Sequence, residues 1–339
     1  MTKFTEIQQH LSGKQYTWLI TGVAGFIGSN LLEFLLAHNQ KVIGLDNFAN
    51  GYKFNLEAVL ASHNAKSGDP DLFEFIEDSI CNPGACKRVC ENIDFVLHQA
   101  ALGSVPRSIK DPLASHEANV TGFLNMLVAA KDQQVKRFVF ASSSSVYGDS
   151  PILPKVETHQ GNPLSPYAAT KMADELYAKA FSTVYDIQTI GLRYFNVFGA
   201  RQNPDNPYAA VLPIWIKALL QNEPVYINGD GETSRDFCYV QNAVQANILA
   251  AFADKPEAMN QVYNIAVGDQ TTLNQVYGFL KELLDRPKHQ PTYCEFRAGD
   301  VRHSLADISK AKTLLGYEPE YPIFEGLQEA IGWYKANVG

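Results

Sequence analysis

Residues 19–30 read LITGVAGFIGSN, and the reading of that stretch decides the fold. An apolar run ends at Thr21, three glycines follow at Gly22, Gly25 and Gly28, and an apolar helical pattern, SNLLEFLLAHN, continues from there. Glycines between a strand and a helix let the backbone turn tightly and approach a pyrophosphate, whose charge is met by the helix N-terminus. The spacing is GxxGxxG, one residue longer in its first gap than the commoner dinucleotide fingerprint. Such a turn alone is weak evidence, because any strand-to-helix connection can use one. The context supplies the rest. Asp46 closes the next apolar run, in VIGLDNF, 24 residues past Gly22. A carboxylate there accepts hydrogen bonds from adenosine ribose hydroxyls and repels a 2′-phosphate, which predicts NAD rather than NADP.

Outward from this turn, short apolar runs recur at TWLIT (17–21), KVIGL (41–45), LFEFI (72–76), DFVLH (94–98), RFVFA (137–141) and QTIGLR (188–193). QVYNIA (261–266) reads as a later strand returning to the same sheet, and ANVTGFLNMLVAAKD carries helical spacing. Continuous apolarity, rather than alternation, fits strands covered on both faces. The predicted fold is therefore α/β, a doubly wound parallel sheet of the Rossmann kind. Its expected extent is 1–195, with the sheet completed by about 236–270 and a docked N-terminal helix presenting Phe4, Ile7 and Leu11 on one face. From about residue 196 the texture changes. RQNPDNPYAAVLP and NGDGETSRD are rich in Pro, Asn, Gly and Asp and indicate long ordered loops. Segments 196–235 and 271–339 are assigned to a smaller mixed α/β substrate domain, since loops on a rigid scaffold concentrate ligand contacts.

The 339 residues suffice for one large domain or two intimate ones, and the composition is that of an ordinary soluble chain. A net charge of -8 argues against a nucleic-acid partner, which would need clustered Lys and Arg, but leaves room for an anionic small ligand in a locally positive pocket. No apolar run is long enough for a membrane span, and MTKFTEIQQHLSGKQ lacks an apolar signal core, so a cytoplasmic protein is expected. The five cysteines, Cys81, Cys86, Cys90, Cys238 and Cys294, lack CxxC spacing. They are read as free, buried thiols in a reducing compartment, with no metal site.

Residues 164–171 read LSPYAATK and place Tyr167 and Lys171 four apart, on one face of a predicted helix. A nearby ammonium favours the phenolate form of a tyrosine, which makes Tyr167 a candidate base. Upstream, FASSSSVYG brings Ser142 to Ser145 to the end of the fifth strand. In a parallel sheet the C-terminal strand ends line the ligand crevice, where a serine hydroxyl can share a substrate proton with the tyrosine. Asp78, at the end of the third strand, is placed to reach an adenine ring.

Together TGxxGxxG, the serine cluster before VYG, YxxxK and the following LRYFNVFG resemble the extended short-chain dehydrogenase/reductase family, from about residue 17 to the end. The resemblance implies a tightly held NAD that takes a hydride from a nucleotide sugar. Tyr167 would be the base, Ser143 its proton-sharing partner, and Lys171 the residue that binds the nicotinamide ribose. Cofactor contacts are carried to Gly22, Gly25, Phe26, Ile27, Gly28, Asp46, Asn47, Gly51, Asp78, Gln99, Ala101, Tyr167, Lys171, Tyr194 and Val197. Related dehydratases place an Asp-Glu pair directly after the catalytic serine or threonine, and related UDP-glucuronate decarboxylases carry a glutamate at the second position. Here Ser144 and Ser145 stand there and cannot supply the extra acid and base that elimination needs. What remains is removal and return of one hydride, the chemistry of a 4-epimerase.

For the substrate, the resemblance carries Asn196 to a diphosphate or sugar contact and Ala210 and Val211 to backbone contacts. Tyr226 and Asn228 match the uracil and ribose region, Arg235 a diphosphate contact, and Arg297, Asp300 and Arg302 the diphosphate and ribose. Galactose-specific bacterial epimerases hold a tyrosine at the place of Ser304 and a lysine-bearing loop where this chain has QAALGSVPRS. Ser304, with Ser104 and Ser144, would leave room and hydrogen-bond partners for an N-acetyl group, and Gly103 and Ser143 are further substrate contacts. QAALGSVPRS, LSPYA, INGDGETSRDFCY and GDVRHSLADISKA are similar to bacterial UDP-N-acetylglucosamine 4-epimerases of O-antigen pathways. The expected substrate pair is UDP-GlcNAc and UDP-GalNAc. UDP-glucose and UDP-glucuronate are the alternatives, Arg107 being the nearby positive group for a glucuronate carboxylate. A non-catalytic NAD(H)-sensing protein is the rival from another class. The resemblance also implies a homodimer through helices near 119–131 and 166–184.

Overall fold

Each apolar run becomes a strand of one sheet: β1 (Thr17–Thr21), β2 (Lys41–Asp46), β3 (Phe73–Glu77), β4 (Phe95–His98), β5 (Arg137–Ser143), β6 (Thr189–Tyr194) and β7 (Gln261–Ile265). The computed structural model describes residues 1–65, 69–206, 209–296 and 302–338. Across the sheet the order is β3-β2-β1-β4-β5-β6-β7, and every neighbouring pair is parallel. The chain order reverses between β1 and β4. In an open α/β sheet the crevice beyond the carboxyl ends at such a switch receives the ligand.

Helices α1 (Lys3–Gly13), α2 (Phe26–Ala37), α3 (Lys53–Ala65), α4 (Pro83–Val89), α5 (Val105–Lys110), α6 (Pro112–His116), α7 (Gly122–Asp132) and α8 (Pro166–Val184) belong to the first half. The second half adds α9 (Val211–Gln221), α10 (Val240–Ala251), α11 (Leu273–Leu283), α12 (Ser309–Leu315) and α13 (Ile323–Asn337). Alternation along each strand feeds two cores. Trp18, Ile20, Phe95, Leu97 and Val139 pack with residues of α1, α2 and α10, while Leu19, Val96, Phe138 and Phe140 pack with α4, α7 and α8. A third cluster, built from α9, α11 and α13 around Trp215, Ile216, Leu280 and Leu327, is the core of the later region. There Tyr226–Asn228 pairs in parallel with Thr292–Cys294.

The N-terminal helix docks as its pattern predicts, burying Phe4, Ile7 and Leu11, with Thr2 accepting from the Thr5 N–H at its start. Two expectations need correction. The spacing of residues 118–132 predicts one regular helix, but its first turn is widened into a π-turn, Glu117–Thr121, ahead of α7. And not all the thiols are buried. Cys86, Cys90 and Cys238 are, Cys81 is half-buried, and Cys294 is exposed because it lies on the open face of a two-stranded ribbon. Among the described residues no helix is long and apolar enough to cross a membrane, and no group of His, Cys, Asp and Glu is arranged to hold a metal ion.

Candidate active site

A cavity of about 700 Å³ lies over the switch point and gathers every residue assigned above to the cofactor, from Gly22 to Val197, together with Gly103, Ser104, Ser143, Asn196 and Ala210. Its floor is the glycine turn. Gly22 has φ +69°, and a Cβ there would stand 2.8 Å from the Ala100 backbone nitrogen; at Gly28 a Cβ would stand 2.1 Å from the Gly22 carbonyl oxygen. Only glycine fits either place. Helix α2 starts at Gly25 with no side chain capping it, which leaves first-turn N–H groups to a ligand.

Asp46 is buried, and its two oxygens accept from the Ala24 N–H at 2.9 Å and the Phe48 N–H at 2.8 Å. Burial pushes its carboxyl above the ordinary range, and those backbone N–H groups pull it back down. The sequence assigns Asp46 to a ribose alone; here it also ties the glycine turn to the loop after β2, which a carboxylate with four acceptor positions can do at once. A pyrophosphate-bearing dinucleotide suits this cradle: space where side chains would be, an uncapped helix start, and a buried acid beside both. Asp78 accepts from the Ser79 N–H at 2.8 Å and from the Asn82 amide at 3.1 Å, and these bonds hold its carboxyl below the usual carboxylate range. At the far end of the cleft Gln99, Tyr194 and Asn247 close a ring. Tyr194 donates to Gln99 at 3.1 Å, Gln99 to Asn247 at 3.0 Å, and Asn247 to Tyr194 at 2.7 Å.

The catalytic candidates sit on β5 and α8. Helix α8 has a strong start: Pro166 occupies its first turn and the Ser165 hydroxyl accepts from the Ala168 N–H at 3.1 Å. The Tyr167 N–H donates to the Ser108 hydroxyl of α5 at 3.0 Å, so the tyrosine is anchored from both sides. One turn on, the Lys171 ammonium is buried and donates to the Ala141 carbonyl at 2.9 Å and to Asp174 at 3.1 Å. At the end of β5 the Ser143 hydroxyl accepts from the Ser145 N–H at 3.1 Å, which leaves its own proton to donate. Ser144 does not join it on the cavity wall. The chain leaves the sheet at Ser143 and turns through a short 3-10 helix, Ser144–Tyr147.

One functional candidate was not legible. Asn119, on the π-turn, accepts from the Leu102 N–H at 2.7 Å and donates to Thr170 at 3.1 Å, and Thr170 in turn donates to the Tyr167 carbonyl at 2.8 Å. It thereby clamps the loop after β4 to the helix that bears Tyr167. Widened turns cluster at functional places in helices, but no residue spacing announces this one.

On the sugar side the expected residues divide. Asn196, Val197 and Ala210 line both the main cavity and a second one of about 280 Å³, which adds Val211, Asn228 and Arg235. Asn196 adopts φ +36° and Ser104 φ +101°, conformations that side-chain-bearing residues hold only under constraint. The Ser104 hydroxyl also accepts from the Arg107 N–H at 3.2 Å and so starts α5. Tyr226, Arg302 and Ser304 line neither cavity. Arg302 pairs with Asp230 at 2.7 Å, and the Ser304 N–H donates to the Ser234 carbonyl at 3.1 Å. Arg297 and Asp300 lie outside the described residues.

Comparison with known proteins agrees with this geometry. The model of the NAD dependent epimerase/dehydratase family matches residues 18–266. A UDP-glucuronate 4-epimerase of Thermodesulfobacterium geofontis is 37% identical over 328 residues, 95% of this chain and 97% of that one. The crystal structure of UDP-glucose 4-epimerase from Thermotoga maritima with UDP-glucose superposes with a TM-score of 0.86 at 34% identity, covering 95% of this chain and 100% of that chain. UDP-N-acetylglucosamine 4-epimerase from Methanobrevibacter ruminantium, in complex with UDP-N-acetylmuramic acid, gives 0.87 at 37% identity, covering 95% and 99%. With the switch-point cavity and its glycine cradle, these matches show that the chain belongs to the NAD dependent epimerase/dehydratase family and that NAD is its cofactor.

Proposed function

We propose that the protein interconverts UDP-GlcNAc and UDP-GalNAc by epimerisation at C4. The observation that carries this is the pairing of Tyr167, Lys171 and Ser143 in one cavity whose described lining places no acid next to Ser143; Glu175, bonded to Ser142 and Arg193, does not line the cavity. The acids of the described lining are Asp46, Asp78 and Glu117; the first two stand at the adenosine end and Glu117 on the π-turn. Elimination of water needs an additional acid and base near the sugar, and this wall offers hydroxyls instead.

NAD would be held by the glycine turn, Asp46 and Lys171, and would supply acceptance of the C4 hydride and its return. The chain's own residues handle the proton. Tyr167 as phenolate takes the proton from O4 while the C4–H bond breaks, and a 4-ketone forms. The Ser143 hydroxyl donates a hydrogen bond to that oxygen as it changes from alcohol to carbonyl. After the ketosugar presents its other face, Tyr167 returns the proton to O4, so no atom or electron is gained overall.

Two features support an N-acetyl sugar. A Cβ at Gly103 would meet nothing within 4 Å, so the loop after β4 leaves space beside Ser104. The cations of the described lining are also engaged: Lys171 with Asp174, Arg201 with Glu33 and Asn30, and Arg107 with the Asn50 side-chain amide oxygen at 3.0 Å. A glucuronate carboxylate would have to draw Arg107 from Asn50. That arginine is what favours the second reading, a UDP-glucuronate 4-epimerase. Turnover of UDP-GlcNAc, UDP-glucose and UDP-glucuronate by the purified holoenzyme separates them, and preference for the glucuronate overturns the N-acetyl reading. The protein is further proposed to act as a homodimer. Leu113 on α6 is 81% exposed and Leu176 on α8 is 71% exposed, on helices that pack side by side. Sedimentation of a monomer at micromolar concentration would refute it.

A further inference from the structure

Helix α8 carries two adjacent acids that the proposed reaction does not use, Asp174 and Glu175. Asp174 is fully buried and lies one turn beyond Lys171, whose ammonium it meets at 3.1 Å. Its other oxygen, Oδ1, is buried and has no hydrogen-bond partner. A carboxylate kept for stability alone would have both oxygens satisfied, since an unpartnered buried oxygen costs free energy and a buried ion pair seldom repays its desolvation. The neighbouring Glu175 shows the contrast: Arg193 of β6 holds it through two bonds, at 2.8 and 2.7 Å. Asp174 is held by Lys171 and little else.

We infer that Asp174 is a positioning residue, whose carboxylate fixes the Lys171 ammonium opposite the Ala141 carbonyl and offsets part of the positive charge that Tyr167 feels. The inference rests on the proposed role of Tyr167 as base. Two donors of the ammonium are fixed by Ala141 and Asp174, and the third remains for the ribose side of the cavity. Around the pair stand Tyr167 and Glu175 on α8 itself, Arg193 from β6, which Glu175 occupies, and His98 from β4. His98 stays neutral, because burial, then the Lys171 charge, pushes it down to about 3. From the π-turn, Glu117 shares the cavity lining with Tyr167 and Lys171, and the uncharged Asn119 reaches Thr170. Burial works to lower the Lys171 ammonium, but Asp174, Tyr167 and Glu175 carry it above its ordinary value. Burial pushes the Asp174 carboxyl up, to about 7, against the pull of Lys171. Without Asp174 an uncompensated ammonium faces the phenol, and the phenolate forms at lower pH.

The test is the Asp174→Asn holoenzyme, followed by ultraviolet difference titration of tyrosinate with a Tyr167→Phe subtraction, beside the pH profile of kcat. The expected result is a tyrosinate midpoint and an acid limb both lower by about one pH unit, with Asp174→Glu restoring the wild-type midpoint. A midpoint that stays or rises overturns the inference, as does a uniform fall in kcat at every pH, which marks a merely structural role. Where the amide does not fit the pocket, Asp174→Ser, with room for a water, is read in the same way. The titration reports on the phenol whether or not any UDP-sugar is turned over, so a failure of the epimerase reading shows separately, as wild-type enzyme that interconverts none of the three sugars.

Discussion

The side of the cavity assigned to the cofactor is made of strand ends and helix starts, whereas the side assigned to the sugar is made of loops joined by side chains and by two-residue strand pairs, Val197–Phe198 with Cys238–Tyr239 and Ser234–Arg235 with Thr271–Thr272. Gly22, Asp46, Gln99 and Ser143 each stand at or just past the end of a strand in one ladder, so their separations follow from strand spacing. On the other side Leu102 is held by Asn119, Asn196 by the Asp236 carbonyl, and Ser304 by the Ser234 carbonyl. The difference is one of rigidity: a ladder transmits position over many residues, and a loop transmits it only to its next partner. Substitutions that touch the ladder should fail broadly, and those on the loops should change selectivity.

Tyr167 stands where the two sides meet, and it should show the largest effect. Tyr167→Phe removes the proton acceptor and is expected to lower kcat by about 10²- to 10⁴-fold or more. Because the bond to the Ser108 hydroxyl is donated by the Tyr167 backbone N–H, it survives the substitution, and thermal unfolding and NAD retention should remain those of the parent enzyme. Unchanged turnover in a coupled assay would remove Tyr167 from the mechanism.

Next comes acid sensitivity on the cofactor side. His98 ends β4, stacks on Phe138, and bonds to the Thr21 hydroxyl at 2.9 Å. Burial pushes it down to about 3 in the folded chain, against an ordinary value near 6.5. The unfolded chain therefore binds a proton below about pH 6.5 that the folded chain refuses. Stability from this residue is complete above that pH and is lost as pH falls, by about 3 kcal/mol at pH 4. Denaturant midpoints measured from pH 7 to pH 4 should fall more steeply for the parent than for His98→Gln, and parallel curves would contradict the assignment.

The same contrast explains which features the sequence makes legible. The seven strands were legible because parallel strands buried on both faces are unbroken apolar runs, and the glycine turn, Asp46, Tyr167 and Lys171 because each has a set distance from a strand or along a helix. Ser144 was assigned to the wall because sequence adjacency to Ser143 hides the point where the chain leaves the sheet. Asn119, the Gln99–Tyr194–Asn247 ring and the pairing of Arg201 with Glu33 join residues far apart in the chain, and nothing periodic marks them.

Two glycines sharpen the comparison at a smaller scale. Gly28→Val forces a side chain into the Gly22 carbonyl, with a cost of about 1–3 kcal/mol and loss of bound NAD. Gly103→Ala on the sugar loop meets open space and should keep both NAD and fold, altering only the KM for the sugar nucleotide. Absorbance of released cofactor and a thermal melt on each variant decide the matter; equal NAD loss in both would mean that the two sides are one rigid unit.

The smallest expected effect is also the most selective. Ser304 is placed by its backbone, through the bond from its N–H to Ser234, so exchanging its side chain leaves the main chain where it is. Ser304 lines neither cavity, and only the family resemblance carries it to the C2 substituent; if that assignment holds under the N-acetyl reading, Ser304→Tyr crowds that substituent. Discrimination by size in a pocket is worth about 1–3 kcal/mol, so kcat/KM for UDP-GlcNAc should fall about 10-fold or more while that for UDP-glucose holds. The ratio of the two, measured on one preparation, is the informative quantity. Equal losses on both substrates would make Ser304 a support for the Ser234 segment. No change on either would mean that the C2 substituent faces another wall, leaving Gly103 and Ser104 as the residues that admit it.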